Sequence, residues 1–161
     1  MRMFRRVRLL IARLSATRFG AWFVRTCIQP LDRLLLWLTG GRIGVVSLFY
    51  PTLILITTGA RSGTQRRTPL IFLPDGNRIV LVASNFGRDR HPGWYYNLRA
   101  NPQAQVNIYG HLFECRAREV SGIEYLELWE RAVRYYPGFA VYAGRSGRTI
   151  PIVVLELNTP I

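Results

Sequence analysis

The chain has 161 residues and sets 22 basic against nine acidic side chains, a length suited to one domain around one core. Hydrophobic residues make up 49%, which excludes a disordered tail, and all 22 basic residues are arginine, which excludes lysine Schiff-base or lysine general-base chemistry. The net charge of +13 is local: residues 1–74 carry 12 Arg and the single acid Asp32 (+11), against ten Arg and eight acids (+2) in residues 75–161.

At helical spacing Met3, Phe4, Val7, Leu10, Ile11 and Leu14 fall on one stripe, with Arg2, Arg5, Arg6, Arg8 and Arg13 opposite. The spacing predicts an amphipathic helix with a purely cationic polar face. Residues 1–18 would then suit an anionic membrane surface, apolar side inward and Arg at the headgroups. A helix packed on its own domain and a nucleic-acid arm are the alternatives, the latter weakened by the absence of a recognised binding motif. Arg13 and Arg18 interrupt the apolar stretch too early for a signal peptide. The run Ile43 to Thr58, broken by Gly44 and Pro51, falls short of the ~20 residues a spanning helix needs. A second helix is expected over Leu31–Leu38, after Pro30 and before Gly40-Gly41. Residues 1–50 therefore read as a basic helical extension, carrying the interfacial aromatics Trp22, Phe23, Trp37, Phe49 and Tyr50.

From Pro51 the pattern turns β-rich. Thr52–Thr58 is a strand, followed by a Gly/Ser/Arg loop over 59–67. Thr68–Leu73 and Arg78–Ala83 are expected as strands joined through Pro74-Asp75-Gly76-Asn77. Pro92–Ala100 is a short helix, and Gln105–Tyr109 with Leu112–Glu119 a hairpin about Gly110. Ser121 and Glu124 suggest a capping box opening a helix through Tyr136, with Glu127–Arg131 and Glu130–Arg134 as i, i+4 pairs. Ile150–Leu157 closes the chain as a strand. About six strands in antiparallel hairpins, with one main helix inserted late, predict an α+β fold built on a small β-barrel over 51–161.

The chemistry-bearing residues fall in three segments. The stretch 59–68 holds three Arg, two hydroxyls and two Gly, an anion cradle in which Arg forks and backbone N–H groups converge; a solvated turn has the same composition. Residues 83–95 leave a strand with small residues, at which a flat ring can lie against the backbone. Tyr136, Phe139 and Tyr142 recur every three residues, as a substrate-facing stripe or as ordinary core. Two distant cysteines and two histidines provide no metal cluster.

Together these segments resemble the deazaflavin-dependent nitroreductase and quinone reductase family, split-barrel oxidoreductases that use reduced coenzyme F-420. The resemblance rests on Thr57-Thr58-Gly59-x-Arg61-Ser62-Gly63-x-x-Arg66-x-Thr68-Pro69-Leu70 and Leu73-Pro74-Asp75-Gly76. It continues through Val82-Ala83-Ser84-Asn85 and His91-Pro92-x-Trp94-Tyr95-x-Asn97-Leu98-x-Ala100-Asn101-Pro102. Arg131-Ala132-Val133, Tyr136-Pro137 and Ile150-Pro151-Ile152-Val153-Val154-Leu155 complete it, and it spans about Pro51 to Leu157.

The resemblance implies an FMN-binding split-barrel type of fold and a hydride transfer from reduced coenzyme F-420 to a lipophilic acceptor such as a quinone. Nitroaromatics would be side substrates, and FMN a less suitable cofactor. It implies that Arg61 and Arg66, with Ser62 and Thr68, hold the anionic tail of the coenzyme. Arg67 supplies a charge that position 60, here Ala60, usually carries. Ala83, Ser84 and Asn85 would lie beside the deazaflavin ring, with Trp94 buttressing it. Tyr136, Phe139 and Tyr142 would flank the substrate, and Tyr136 or Tyr142 would hydrogen-bond or protonate a reduced oxygen. Phe139 stands where the family usually has tyrosine, and Phe86-Gly87-Arg88-Asp89-Arg90 replaces a Gly-Gly-Ala-Pro. Neither metal nor nucleic acid is expected. A cytoplasmic enzyme lying peripherally on the inner face of the cell membrane follows from a lipophilic acceptor. The alternative is a membrane-associated coenzyme-binding protein with little redox activity.

Overall fold

The computed structural model describes residues 17–39, 44 and 46–160; the amphipathic helix expected over residues 3–14 lies outside them. Two short helices come first, α1 (Arg18–Phe23) and α2 (Gln29–Leu38), joined without a break by a π-helical turn at Val24–Ile28. The helix expected over Leu31–Leu38, after Pro30, starts earlier, at Gln29, and the helical run before it passes through Val24, Thr26, Cys27 and Ile28, all weak helix formers.

Seven strands follow: β1 (Thr52–Thr58), β2 (Gln65–Ile71), β3 (Leu73–Asp75), β4 (Arg78–Val82), β5 (Gln103–Ile108), β6 (His111–Glu119) and β7 (Ile152–Pro160). Helix α3 (Gly93–Ala100) precedes β5, while α4 (Gly122–Tyr135) and α5 (Gly138–Ser146) separate β6 from β7. The strands form one curled sheet in the order β2-β1-β5-β6-β7-β4-β3, with every pairing antiparallel. This is the expected α+β split barrel, with one strand more than the six expected and a second helix, α5, before the last strand.

Alternation along the strands gives the sheet two apolar faces. Ile79, Leu81, Val153 and Leu155 point into one core with Leu53, Leu55, Val106 and the α3 residues Trp94, Tyr95 and Leu98. Val80, Ile152 and Val154 point the other way, into a second core completed by Leu128 and Ala132 of α4 and by Tyr136, Phe139 and Tyr142. Each fully buried aliphatic side chain contributes about 1.5–3 kcal/mol by leaving water, so both faces stabilise the sheet that carries the site.

Four local expectations are corrected. The strand expected over Thr68–Leu73 is divided: Leu73 pairs with Val80 of β4, whereas Thr68–Ile71 pair with β1, in a register from Thr52 opposite Ile71 to Thr58 opposite Gln65 that places Arg66, Arg67 and Thr68 on β2. The turn at Gly76-Asn77 instead joins the short β3 to β4, so Phe72 marks where the chain passes from one sheet edge to the other. Ser121 makes no side-chain cap: Glu124 is drawn away to Arg118, at 2.7 Å, and to Arg78, since two guanidiniums outbid one backbone N–H. The pair Glu130–Arg134 forms at 2.6 Å, but Arg131 reaches across to Asp75 at 2.8 Å rather than to Glu127.

Candidate active site

The loop between β1 and β2 is held by its own backbone. Gly59 N–H donates to Thr64 O and Gly63 N–H to Gly59 O, both at 2.8 Å. A Cβ on Gly59 would stand 2.6 Å from Ser62 Oγ, so only glycine admits the hydroxyl there. Ser62 Oγ shares a 2.8 Å hydrogen bond with Thr64 Oγ1 and accepts from Arg66 Nη2 at 3.4 Å. Asn97 of α3 clamps the loop from outside: its Oδ1 accepts from Ala60 N–H, and its Nδ2 donates to the buried Thr57 Oγ1, each at 3.0 Å.

Between this loop, the start of β2 and α3 runs an open cleft of about 1270 Å³. Its lining includes Arg61, Arg66, Arg67, Arg88, Arg90 and Arg99 and, among the described residues, no carboxylate. Six guanidinium groups so placed have the chemistry to hold a polyanion.

The far wall is the segment from β4 to α3. Arg148, half-buried just before β7, organises it. Its Nη2 donates to Ala83 O, Ser84 O and Arg90 O at 3.2–3.3 Å, and its Nε donates to Arg88 O at 3.1 Å. Its Nη1 stands 2.7 Å from His91 Nδ1. Arginine has only donors, so Nδ1 accepts and the His91 proton sits on Nε2. Burial first, and then the Arg148 charge, hold His91 below its ordinary value of 6.5, so it lines the cleft as a neutral imidazole.

At the head of this segment Asn85–Gly87 forms one tight turn. Asn85 and Phe86 both take left-handed backbone angles, φ 48° and 57°. Each costs on the order of 1–2 kcal/mol in a non-glycine residue, a strain tolerated where placement matters. Gly87 follows because a Cβ there would press on Tyr142 Cα and O at 3.1 Å; α5 thus backs the turn directly. The strained pair separates two environments. Asn85 lines the cationic cleft, and Phe86 lines an apolar cavity of about 260 Å³. That cavity lies between the π-helical turn, the Val46–Tyr50 segment, β2 and Tyr136. The same division occurs on β2, where Thr68 faces the cleft and Pro69 the cavity. Among the described residues the two chambers share no lining residue, and they adjoin at the peptides Thr68–Pro69 and Asn85–Phe86.

A family model described as F420H(2)-dependent quinone reductase matches residues 33–157. The chain belongs to the F420H(2)-dependent quinone reductase family. An F420H(2)-dependent quinone reductase of Mycobacterium tuberculosis is 39% identical over 125 residues, which cover 73% of this chain and 81% of that protein. Among solved structures, an F420-H2 dependent reductase is 36% identical with a TM-score of 0.61, covering 66% of this chain and 94% of the other. A chain described as a domain-swapped dimer is 34% identical with a TM-score of 0.63, over 84% and 98%. The heme storage protein HutZ of Vibrio cholerae, at 14% identity and a TM-score of 0.52, shares the fold alone.

In this member of the quinone reductase family, Arg61, Ser62, Arg66, Arg67, Thr68, Asn85 and Trp94 all line the cleft. Ala83 and Ser84 are buried beneath it. Tyr136 lines the apolar cavity. Phe139 and Tyr142 are packed in the core behind it, the Phe139 ring 5.0 Å from that of Tyr136 and the Tyr142 hydroxyl 3.4 Å from the Tyr136 hydroxyl. From the sequence, Arg88 and Arg90 are expected only as added bulk and charge at the cofactor entrance, and His91, Asn97, Arg99 and Arg148 have no assigned role. His91 and Asn97 stood in the His-Pro-x-Trp-Tyr-x-Asn-Leu block; Arg148 had no local signal, because its partners lie about 60 residues away. The described residues contain no group of side chains suited to a metal ion and no helix long and apolar enough to cross a membrane.

Proposed function

We propose that the chain reduces quinones, with F420H(2) held in the arginine cleft and the acceptor ring placed beside Phe86 and Tyr136. One observation carries the reading: two chambers of opposite chemistry, one cationic and one apolar, adjoin at the strained Asn85–Phe86 turn and at Thr68–Pro69 of β2. The residues fit the coenzyme, since a phosphate extended by glutamates needs guanidinium forks and tolerates no carboxylate in the lining. When bound, the reduced deazaflavin supplies the hydride. The chain does the rest. Arg61, Arg66 and Arg67 hold the anionic tail, Ser62 and Thr68 add hydroxyls, and Asn85 and Trp94 face the ring, with Ala83 and Ser84 buried behind them. Tyr136, steadied by Tyr142 and Phe139, presents a hydroxyl to an acceptor oxygen and closes the apolar side to water. An apolar acceptor chamber beside the cleft is what a coenzyme carrier without redox activity would not need.

The test mixes protein, F420H(2) and 2-methyl-1,4-naphthoquinone and follows recovery of deazaflavin absorbance. Arg61→Ala/Arg66→Ala should raise the coenzyme Kd at least tenfold and weaken its salt dependence. Unchanged affinity would place the tail elsewhere.

A second part of the proposal concerns location. Phe19, Trp22, Phe23, Leu31, Leu34 and Leu38 stand exposed on α1 and α2, Phe19 by 73% and Leu38 by 64%. A cluster of that kind, next to the arginine-rich residues 1–18, supports peripheral binding to an anionic membrane. Phe19→Ser/Trp22→Ser should release the protein from sedimenting phosphatidylglycerol vesicles; equal sedimentation would refute the docking face.

A further inference from the structure

We infer that His91 is a binding residue for the coenzyme: its Nε2–H, fixed by Arg148, donates a hydrogen bond to an uncharged oxygen of the deazaflavin ring or of the polyol that joins the ring to the phosphate. The inference rests on the reading that places F420H(2) in the arginine cleft, and it names a contact at the uncharged end of that ligand. Histidine becomes a donor of one fixed kind only when a neighbour sets its tautomer. Arg148 does so here. Its Nη1 donates to Nδ1 at 2.7 Å and has no acceptor to offer, so the proton of the neutral ring stands on Nε2, on a side chain that lines the cleft.

The imidazole is also held by α3. Its centroid lies 4.8 Å from that of Tyr95 and 5.9 Å from that of Tyr96. Tyr95 is anchored in turn by its hydroxyl, which donates to Glu119 Oε2 at 2.8 Å. A donor so held loses little freedom when a ligand arrives. Its neighbours place it at the ring end of the cleft. Asn85 Nδ2 donates to Arg90 O at 2.9 Å, which brings a side chain proposed to face the ring against the residue before His91. Trp94 follows in the first turn of α3. Burial and then the Arg148 charge, with a smaller push from Arg99, outweigh the Glu119 carboxylate and disfavour the imidazolium. The guanidiniums of the cleft suit an anionic tail; a neutral N–H among them suits an oxygen that carries no charge, opposite which a desolvated cation would go uncompensated.

Two substitutions separate the donor from the tie to Arg148. His91→Asn puts an amide oxygen where Nδ1 stands, which keeps an acceptor for Arg148 but removes the Nε2–H. His91→Gln carries an amide N–H to the ε position and gives up that acceptor. Kd is read by fluorescence with two probes: oxidised coenzyme F-420, and its chromophore with the polyol but without phosphate or glutamates. His91→Asn should weaken both by about three- to tenfold, the size of one net hydrogen bond, and His91→Gln should recover most of the loss. A third probe with methyl in place of the polyol keeps the His91→Asn penalty if the acceptor is on the ring and loses it if the acceptor is on the polyol. The reverse order, Asn close to wild type and Gln weak, would show a role in the wall alone and overturn the contact. Nitrogen-15 spectra of the wild type need no variant: Nδ1 should give the pyridine-type signal and Nε2 the pyrrole-type, and the Nε2 proton should shift downfield when coenzyme binds. An Nε2 proton that saturating coenzyme leaves unmoved would also overturn it. Failure of the cleft reading shows separately, as a coenzyme affinity that Arg61→Ala/Arg66→Ala leaves unchanged, whereas the chromophore probe has no tail and reads His91 by itself.

Discussion

Replacing Arg148 by methionine removes the one side chain that ties Ala83, Ser84, Arg88, Arg90 and His91 together. Not every lost bond costs the same. Ser84 O keeps the N–H of Gly87, and Arg90 is exposed enough for water to replace the guanidinium. Ala83 is fully buried, and its orphaned carbonyl costs about 1–3 kcal/mol. With ~1 kcal/mol for the remaining charged bonds, the loss is about 2–4 kcal/mol, or roughly 5–12 °C in Tm for a chain of this size. Lysine restores the charge but not the fork, so Arg148→Lys should recover less than half. Because the wall of the cleft loosens, Arg148→Met should also weaken F420H(2) binding, read by deazaflavin fluorescence, although Arg148 does not line the cleft. A Tm within 2 °C of wild type together with an unchanged coenzyme Kd would refute the idea that this residue positions the wall.

Asn97→Ala should cost about 1–3 kcal/mol, since the buried Thr57 hydroxyl loses its donor, whereas Asn97→Asp, which can accept from both Thr57 and Ala60, should cost less; urea unfolding ranks the two. Stability should fall on acidification through a His91 effect: the folded pKa lies below 6.5, so the unfolded chain takes up the proton first. That contribution is complete above about 6.5 and is lost as pH falls through the folded value; Tm between pH 7.5 and 5 should show a shallower slope in His91→Asn. Thiol labelling of the native protein should modify one cysteine: Cys27 is exposed, while burial pushes the Cys115 thiol up to about 12, so peptide mapping should find Cys115 unlabelled until denaturant is added.

Much of the barrel is written in local pattern. Thr52–Thr58 is a strand because five β-branched residues and two leucines stand between Pro51 and Gly59, and the Gln105–Glu119 hairpin is marked by one glycine between two alternating runs. Pairing partners are not local. Nothing within Thr68–Leu73 says that it divides between β1 and β4; that choice is made by Phe72, Leu73 and the two cores that the chain must fill on opposite faces. Helix α5 went unassigned because Gly138 and Gly144 are poor helix formers, and its burial of Phe139 and Tyr142 overrides them. Arg61, Ser62 and Arg66 line the cleft; the resemblance singles them out, whereas charge and glycine spacing alone fit a solvated turn equally well. Arg88 and Arg90 are expected at the cofactor entrance, but Arg99 is not, since a cation on α3 joins those of the loops only after folding. Cross-chain ties such as Arg131–Asp75 escaped for the same reason, the local Glu127 being the nearer partner in sequence.

The two chambers that meet at Thr68–Pro69 and Asn85–Phe86 have a kinetic consequence. Because, among the described residues, they share no lining residue, occupancy of one does not fill the other, and donor and acceptor can be resident together. Turnover should therefore run through a ternary complex, with intersecting double-reciprocal plots and no requirement that oxidised coenzyme depart before the acceptor arrives. Hydride transfer needs the reacting atoms within about 3.5 Å, so the two rings would have to meet at the edge of the turn that carries Asn85 on one side and Phe86 on the other.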